Sequence, residues 1–319
     1  MNFKLYSLLA VAAAVVLPAC TDTERIDVQP LKTYDEQYYQ NVRDFKKTDH
    51  EVSFAYYEAW SPIEGVDGYK DPASWGERIK GLPDSIDIVN LWMGIPTPET
   101  HPIAYSDMRW SQANLGTRFV MHADASHYRH QFTAGGKEYN MQDGMEGGIV
   151  SDEMMEAYAL YIREAVASGD LNGVDIDFEG WSNDNLIKLV KILARYWGPQ
   201  GENPEMLLIV DYFSAQPSAE CEPYCDYFVQ QAYSDQVGFL RPSGNYPIEK
   251  QIFCEQFGNG TMGQTGAKLA QYAAWEPGDG TRKGGCGVYY LGRNYYSNSG
   301  IPYFEFRQAI QIMNPAVPH

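Results

Sequence analysis

Eight short runs rich in Val, Ile, Phe and Tyr recur along the chain: Val52–Trp60, Ile86–Gly94, Arg118–Ala125, Gly173–Phe178, Met206–Ser214, Tyr227–Tyr233, Gln251–Phe257 and Gly287–Leu291. Most are apolar at consecutive positions. That is the pattern of parallel strands covered on both faces, and Gly, Pro or Asp lies near most of their ends. Amphipathic segments separate them. Ser151-Asp152-Glu153 offers a capping hydroxyl and first-turn acids. Met154, Met155, Tyr158, Ile162 and Val166 follow at three- and four-residue spacing up to Gly169, which predicts a helix. A second helix is predicted near Asp184–Trp197 on Leu186, Leu189, Ile192 and Leu193, and a last one near Tyr303–Met313. Eight strand–helix units predict an α/β protein, a single (β/α)8 TIM barrel. A doubly wound open sheet is the competing arrangement, but no glycine-rich dinucleotide turn follows a strand.

The first residues follow another pattern. Lys4 precedes an almost wholly apolar run, Leu5 to Val16, closed by Leu17-Pro18-Ala19-Cys20. The run is shorter than the roughly 20 residues a membrane-spanning helix needs. A small residue directly before Cys20 resembles a bacterial lipobox, which implies cleavage before Cys20 and lipid on it. A plain signal peptide with a chance cysteine is the alternative. The expected organisation is a lipoprotein signal peptide over 1–19, a membrane tether over 20–48 rich in polar residues, and the barrel over 49–319. The expected location is the bacterial cell envelope, lipid-anchored, at the outer-membrane surface.

Composition narrows the function. A net charge of −18 argues against nucleic acid, whose phosphates demand Lys and Arg. A hydrophobic fraction of 44% excludes a disordered chain. The 24 tyrosines fit either sugar-stacking surfaces or ordinary core and rim. Cys221 and Cys225 flank a turn and could pair locally, whereas Cys254 and Cys286 fit buried thiols. A zinc site is disfavoured, because no pair has the C-x2-C spacing.

The chemistry concentrates in Asn172-Gly173-Val174-Asp175-Ile176-Asp177-Phe178-Glu179. Strand side chains alternate, so Asp175, Asp177 and Glu179 point one way and Val174, Ile176 and Phe178 the other. The apolar set belongs against covering helices, so the acids face the barrel axis and climb to the C-terminal end, where barrel active sites form. Burying three like charges is costly unless protons are shared or ligands bind, and so expensive an arrangement points to function. A calcium loop of EF-hand type is excluded by the apolar residues between the acids.

Asn172–Glu179 resembles the signature of glycoside hydrolase family 18, a TIM-barrel family that carries it on the fourth strand. Gln231-Ala232-Tyr233, at the end of the sixth strand, is similar to the Gln-x-Tyr of that family's bacterial endo-β-N-acetylglucosaminidases, which cut the GlcNAc–GlcNAc core of N-glycans. The resemblance implies substrate-assisted retaining hydrolysis without metal or cofactor. In it Glu179 is the general acid, Asp177 orients the substrate's acetamido group and Asp175 shares a proton with Asp177. Tyr233 donates to the acetamido oxygen, and Gln231 holds the same sugar. The implied partner is an N-glycan or glycoprotein, and the chain is expected to be a monomer. Three features depart from chitinases of the family: Met121-His122-Ala123-Asp124 on the third strand, Gly180-Trp181 after Glu179, and Tyr289 or Tyr290 where an eighth-strand Trp is usual.

Further substrate contacts are expected at strand ends: Tyr57 with Tyr56, Glu58 and Trp60 on the first strand, Asn90 and Trp92 on the second, Asp211 and Tyr212 on the fifth, and Glu255 on the seventh. Trp181 either stacks on sugar or packs a helix, and Tyr290 lies at the eighth strand. His122, His127 and His130 fit a structural or glycan-contacting loop better than a metal site. The long stretch Ser126–Gly148 is expected to shape recognition. A chitinase-like hydrolase and a non-catalytic lectin on the same barrel are the competing functions. The intact triad of acids argues against the lectin.

Overall fold

A computed structural model describes residues 33–60, 75–126, 131–257, 268–297 and 299–316. Cys20 and the expected signal segment lie outside them. No helix among the described residues is long and apolar enough to cross a membrane.

Eight parallel strands close into a barrel in chain order. They are β1 Val52–Tyr56, β2 Ile88–Leu91, β3 Arg118–Asp124, β4 Gly173–Phe178, β5 Leu207–Tyr212, β6 Tyr227–Gln231, β7 Gln251–Gln256 and β8 Gly285–Tyr289. Every expected strand is present, and β4 has the expected bounds. Two apolar layers hold the barrel. Val52, Phe54, Tyr56, Ile88, Val120, Leu207, Ile209, Val229, Ile252 and Cys254 fill its interior. The opposite strand faces pack against the surrounding helices. Gly173 opens β4 at φ +141°, where a Cβ would sit 2.1 Å from the Leu207 carbonyl oxygen, so only glycine lets β4 and β5 approach.

The helices are less regular than eight equal units. They comprise α1 Glu36–Phe45, α2 Pro102–Leu115, α3 Asp152–Ser168, α4 Asn183–Leu193, α5 Ser234–Val237, α6 Leu269–Ala274 and α7 Phe304–Met313. The Ser151 and Ser182 side chains accept from the Met154 and Asn185 amides and cap α3 and α4. After β5 the connection is only a short 3-10 turn, Ala219–Tyr224. After β6 it is the single turn α5 and another 3-10 piece, Ile248–Lys250. Pro217, Pro223, Pro242 and Pro247 prevent longer helices there. The Ser126–Gly148 stretch, expected as a loop, contains an antiparallel hairpin, Gln131–Ala134 with Lys137–Asn140. Phe132 stacks on Tyr139 and meets Tyr158 of α3 edge-on.

The expected tether is corrected at its end: residues 36–45 are helical and packed. Asp35 caps α1 by accepting from the Tyr38 amide at 2.9 Å. Arg43 donates to the Asn114 carbonyl at 2.8 Å, Lys46 donates to Thr117 Oγ1 at 2.9 Å, and Tyr38 donates to Asp84. Tyr39 meets Trp110 of α2 edge-on. This helix binds through half-buried tyrosines and long polar stems rather than an aliphatic stripe. Its anchor points lie before β2 and β3, at the end of the barrel opposite the acids. Cys221, Cys225, Cys254 and Cys286 are all buried free thiols.

Candidate active site

The acids of β4 are graded in depth. Asp175 is fully buried, Asp177 keeps 16% of its side chain accessible, and Glu179 is exposed at the strand's C-terminal end. Register brings partners alongside. His122 and Asp124 of β3 pair with Asp175 and Asp177, and Ile209 and Asp211 of β5 flank them on the other side.

Hydrogen bonds knit these groups together. Asn90 Nδ2 donates to Asp175 Oδ2 at 2.8 Å and lies 3.4 Å from His122 Nδ1. Gln231 Nε2 donates to Asp177 Oδ1 at 3.2 Å. The Asp177 and Asp211 carboxyls hydrogen-bond each other, and Tyr56 donates its hydroxyl to Asp211. Burial pushes Asp175 up to about 8, against the Asn90 hydrogen bond that lowers it. Burial, then the charges of Asp211 and Glu179, pushes Asp177 up as well. Asp211 rises chiefly from burial and then from Asp175. Three carboxyls this close share protons at neutral pH instead of carrying three charges. His122 Nε2 lies 3.6 Å from Asp177 Oδ2 and 3.9 Å from Asp124 Oδ1. His122, Asp124 and Asp177 offer ligand atoms within 4.8 Å of one another, so these three could hold a cation. His127 and His130 lie outside the described residues.

Aromatic rings surround the acids. Tyr289 stacks on Tyr233 with centroids 5.7 Å apart, and it meets Tyr56 edge-on at 5.7 Å and Trp92 at 5.2 Å. Tyr290 packs on Tyr289 and Trp92, with the Arg293 guanidinium 3.9 Å above its ring. The Trp92 indole N–H is buried without a protein partner. Such a collar of ring faces and edges suits a pyranose.

The site therefore assembles Asp175, Asp177, Glu179, Asn90, Asp211, Gln231, Tyr233 and Tyr290. Four expected contacts are corrected. Tyr57 is fully buried on the outer face of β1, its hydroxyl donating to the Gly76 carbonyl at 2.7 Å. Tyr56, one residue earlier, is the barrel-facing tyrosine. Tyr212 points outward against Tyr246. Glu255 also faces outward, accepting from the Ser234 and Gln256 amides at 2.9 Å. Trp181 is buried in the outer layer edge-on to Tyr158, so it packs a helix. Tyr56, Trp92, His122 and Tyr289 complete the inner surface. The odd–even parity of the acid ladder reaches them only through the register between strands, which the structure supplies.

The closed barrel and its acidic β4 define a glycoside hydrolase. A profile of glycoside hydrolase family 18, BT1044-like, matches residues 21–243, and the chain belongs to that family. It is 26% identical over 305 residues to endo-beta-N-acetylglucosaminidase F2 of Elizabethkingia meningoseptica, covering 86% of this chain and 85% of that one. Among solved structures, BT1044 superposes with a TM-score of 0.64 at 19% identity, covering 88% of this chain and 93% of the other. The apo endo-beta-N-acetylglucosaminidase of Cordyceps militaris superposes with a TM-score of 0.62 at 20% identity, covering 89% and 98%.

Proposed function

We propose that this glycoside hydrolase is an endo-β-N-acetylglucosaminidase that cuts the GlcNAc-β1,4-GlcNAc core of N-glycans with retention, using the substrate's own acetamido oxygen as nucleophile. One observation carries the reading: Asp177 and Glu179 rise from the same face of one strand. Two residues along a strand are about 7 Å apart along the backbone, so a sugar lying over this strand would meet both carboxyls from one side. A retaining enzyme with a protein nucleophile needs its two carboxyls on opposite sides of the scissile bond. An internal nucleophile removes that requirement and gains its rate from orientation.

Glu179, reachable at the mouth, protonates the leaving glycosidic oxygen and later takes a proton from water. Asp177, held by Gln231 and Asp211, faces the acetamido N–H and stabilises the positive charge that grows as the oxazolinium ring closes. Asp175 sits below as a proton store for Asp177. The Tyr233 hydroxyl donates to the acetamido oxygen, and Tyr289 offers its ring to the sugar. The similarity to endo-beta-N-acetylglucosaminidase F2 supports an N-glycan over chitin, as does Gln231 in the sixth-strand motif.

Glu179→Gln is expected to lower release of glycan from a high-mannose or complex glycoprotein by at least about a thousandfold while glycan binding persists. Mass spectrometry of the product, which should retain a single GlcNAc on Asn, reads the result. Unchanged turnover would sink the assignment. A core glycan lacking the N-acetyl group at the cleaved sugar should be inert. We also propose that Cys20 carries lipid and holds the enzyme at the outer-membrane surface. Cys20→Ser is expected to move it from the membrane fraction to the soluble one.

A further inference from the structure

We propose that His122 is a positioning residue that orients the Asp177 carboxyl for the reaction. The proposal rests on the role given to Asp177 above. Asn90 lies between Asp175 and His122. Its Nδ2, which can only donate, gives one hydrogen to Asp175 at 2.8 Å and faces His122 Nδ1 at 3.4 Å. Nδ1 is therefore the acceptor of the ring, and the proton of the neutral imidazole sits on Nε2. Burial keeps the ring neutral, against the pull of Asp124.

Nε2, carrying the hydrogen, then lies between two carboxyl groups, 3.6 Å from Asp177 Oδ2 and 3.9 Å from Asp124 Oδ1. The Asp177 gap is slightly longer than a hydrogen bond, and such contacts tighten when substrate fills a site. The other oxygen, Oδ1, already accepts from Gln231. His122 from β3 and Gln231 from β6 thus bracket the two oxygens of Asp177 with neutral donors. Once the Nε2 contact tightens, a carboxyl held at both oxygens has little freedom to rotate about χ2. Its lone pair stays aimed at the acetamido N–H, and neither donor neutralises it as a cation would. Asn90 connects this arrangement to Asp175, so the buried proton store and the orienting ring share one amide.

A double-mutant cycle on the full-length protein tests this, with glycan release from a glycoprotein as the assay. His122→Leu removes the donor. His122→Gln places an amide N–H where Nε2 stood. We expect His122→Leu to lower kcat about 10- to 100-fold with KM changed less than about twofold, and His122→Gln to recover most of that loss. In an Asp177→Asn background, His122→Leu should cost far less than in the wild type, because the two act as a unit. Equal costs in both backgrounds, or equal damage from Leu and Gln, would overturn the proposal. So would chelator-induced loss of wild-type activity that zinc restores, since His122 would then be a metal ligand. Full activity of Asp177→Asn alone would instead strike at the reaction assigned to the site.

Discussion

Asp175, Asp177 and Asp211 fill one small volume under the barrel mouth, and their protonation links catalysis to stability. Asp175 holds its proton up to about pH 8 in the folded chain, because burial disfavours its charge. Unfolded, it would release that proton near pH 4. Between these values the folded state binds more protons than the unfolded one, so stability declines as pH rises through the window. The melting temperature is expected to fall between pH 5 and pH 8, and to fall less steeply in Asp175→Asn. Thermal melts at four or five pH values check this, and parallel slopes would refute it. Tyr289 offers a second residue-level test. Tyr289→Ala removes the ring that stacks on Tyr233, and KM for glycan is expected to rise about tenfold, the cost of one lost aromatic contact.

At the scale of elements, the strand beginnings are tied by a buried ion pair at the end of the barrel opposite the acids. His50, between α1 and β1, places Nε2 3.0 Å from Asp87 Oδ1, and Asp87 Oδ2 accepts from the Ser53 hydroxyl at 2.7 Å. Burial would lower His50, but the hydrogen bond and charge of Asp87 outweigh it and the imidazole is raised. Burial would raise Asp87, but His50 and Lys46 bring it below its ordinary value. The raised His50 contributes stability that is complete below about pH 6.5 and is lost as pH climbs through its folded value. The depressed Asp87 contributes above about pH 4 and loses its share as pH drops further. His50→Gln is therefore expected to cost most near pH 5–6, about 1.5–3 kcal/mol, and progressively less on the alkaline side. Denaturant melts at pH 5.5 and pH 8.5 compare the two. Val52–Tyr57 and Leu207–Tyr212 are buried on both faces, so hydrophobicity carries no parity, and a choice between neighbours such as Tyr56 and Tyr57 has nothing to rest on. On β4 the acids mark one face themselves.

The whole barrel closes where β1 meets β8. Lys283, nearly inaccessible just before β8, donates to Glu51 Oε2 at 2.5 Å and to the Ala273 and Trp275 carbonyls at 2.8 and 3.0 Å. Lys283→Met would leave Glu51 buried without its cation, and the expected loss is about 3–5 kcal/mol. Calorimetry of the variant tests whether closure depends on this pair; a change under about 1 kcal/mol would show that it does not. Much of this molecule is written in its sequence. The eight apolar runs, the caps of α3 and α4, and the ladder Asp175–Asp177–Glu179 are local patterns, each set by strand or helix periodicity acting on neighbouring residues. Other features were decided only in three dimensions. The docking of α1, the side on which Tyr56 and Tyr57 fall, and the meeting of His122, Asn90, Gln231 and Asp211 around one carboxyl depend on register between strands far apart in the chain. Pairing and closure set that register, and no local pattern records it.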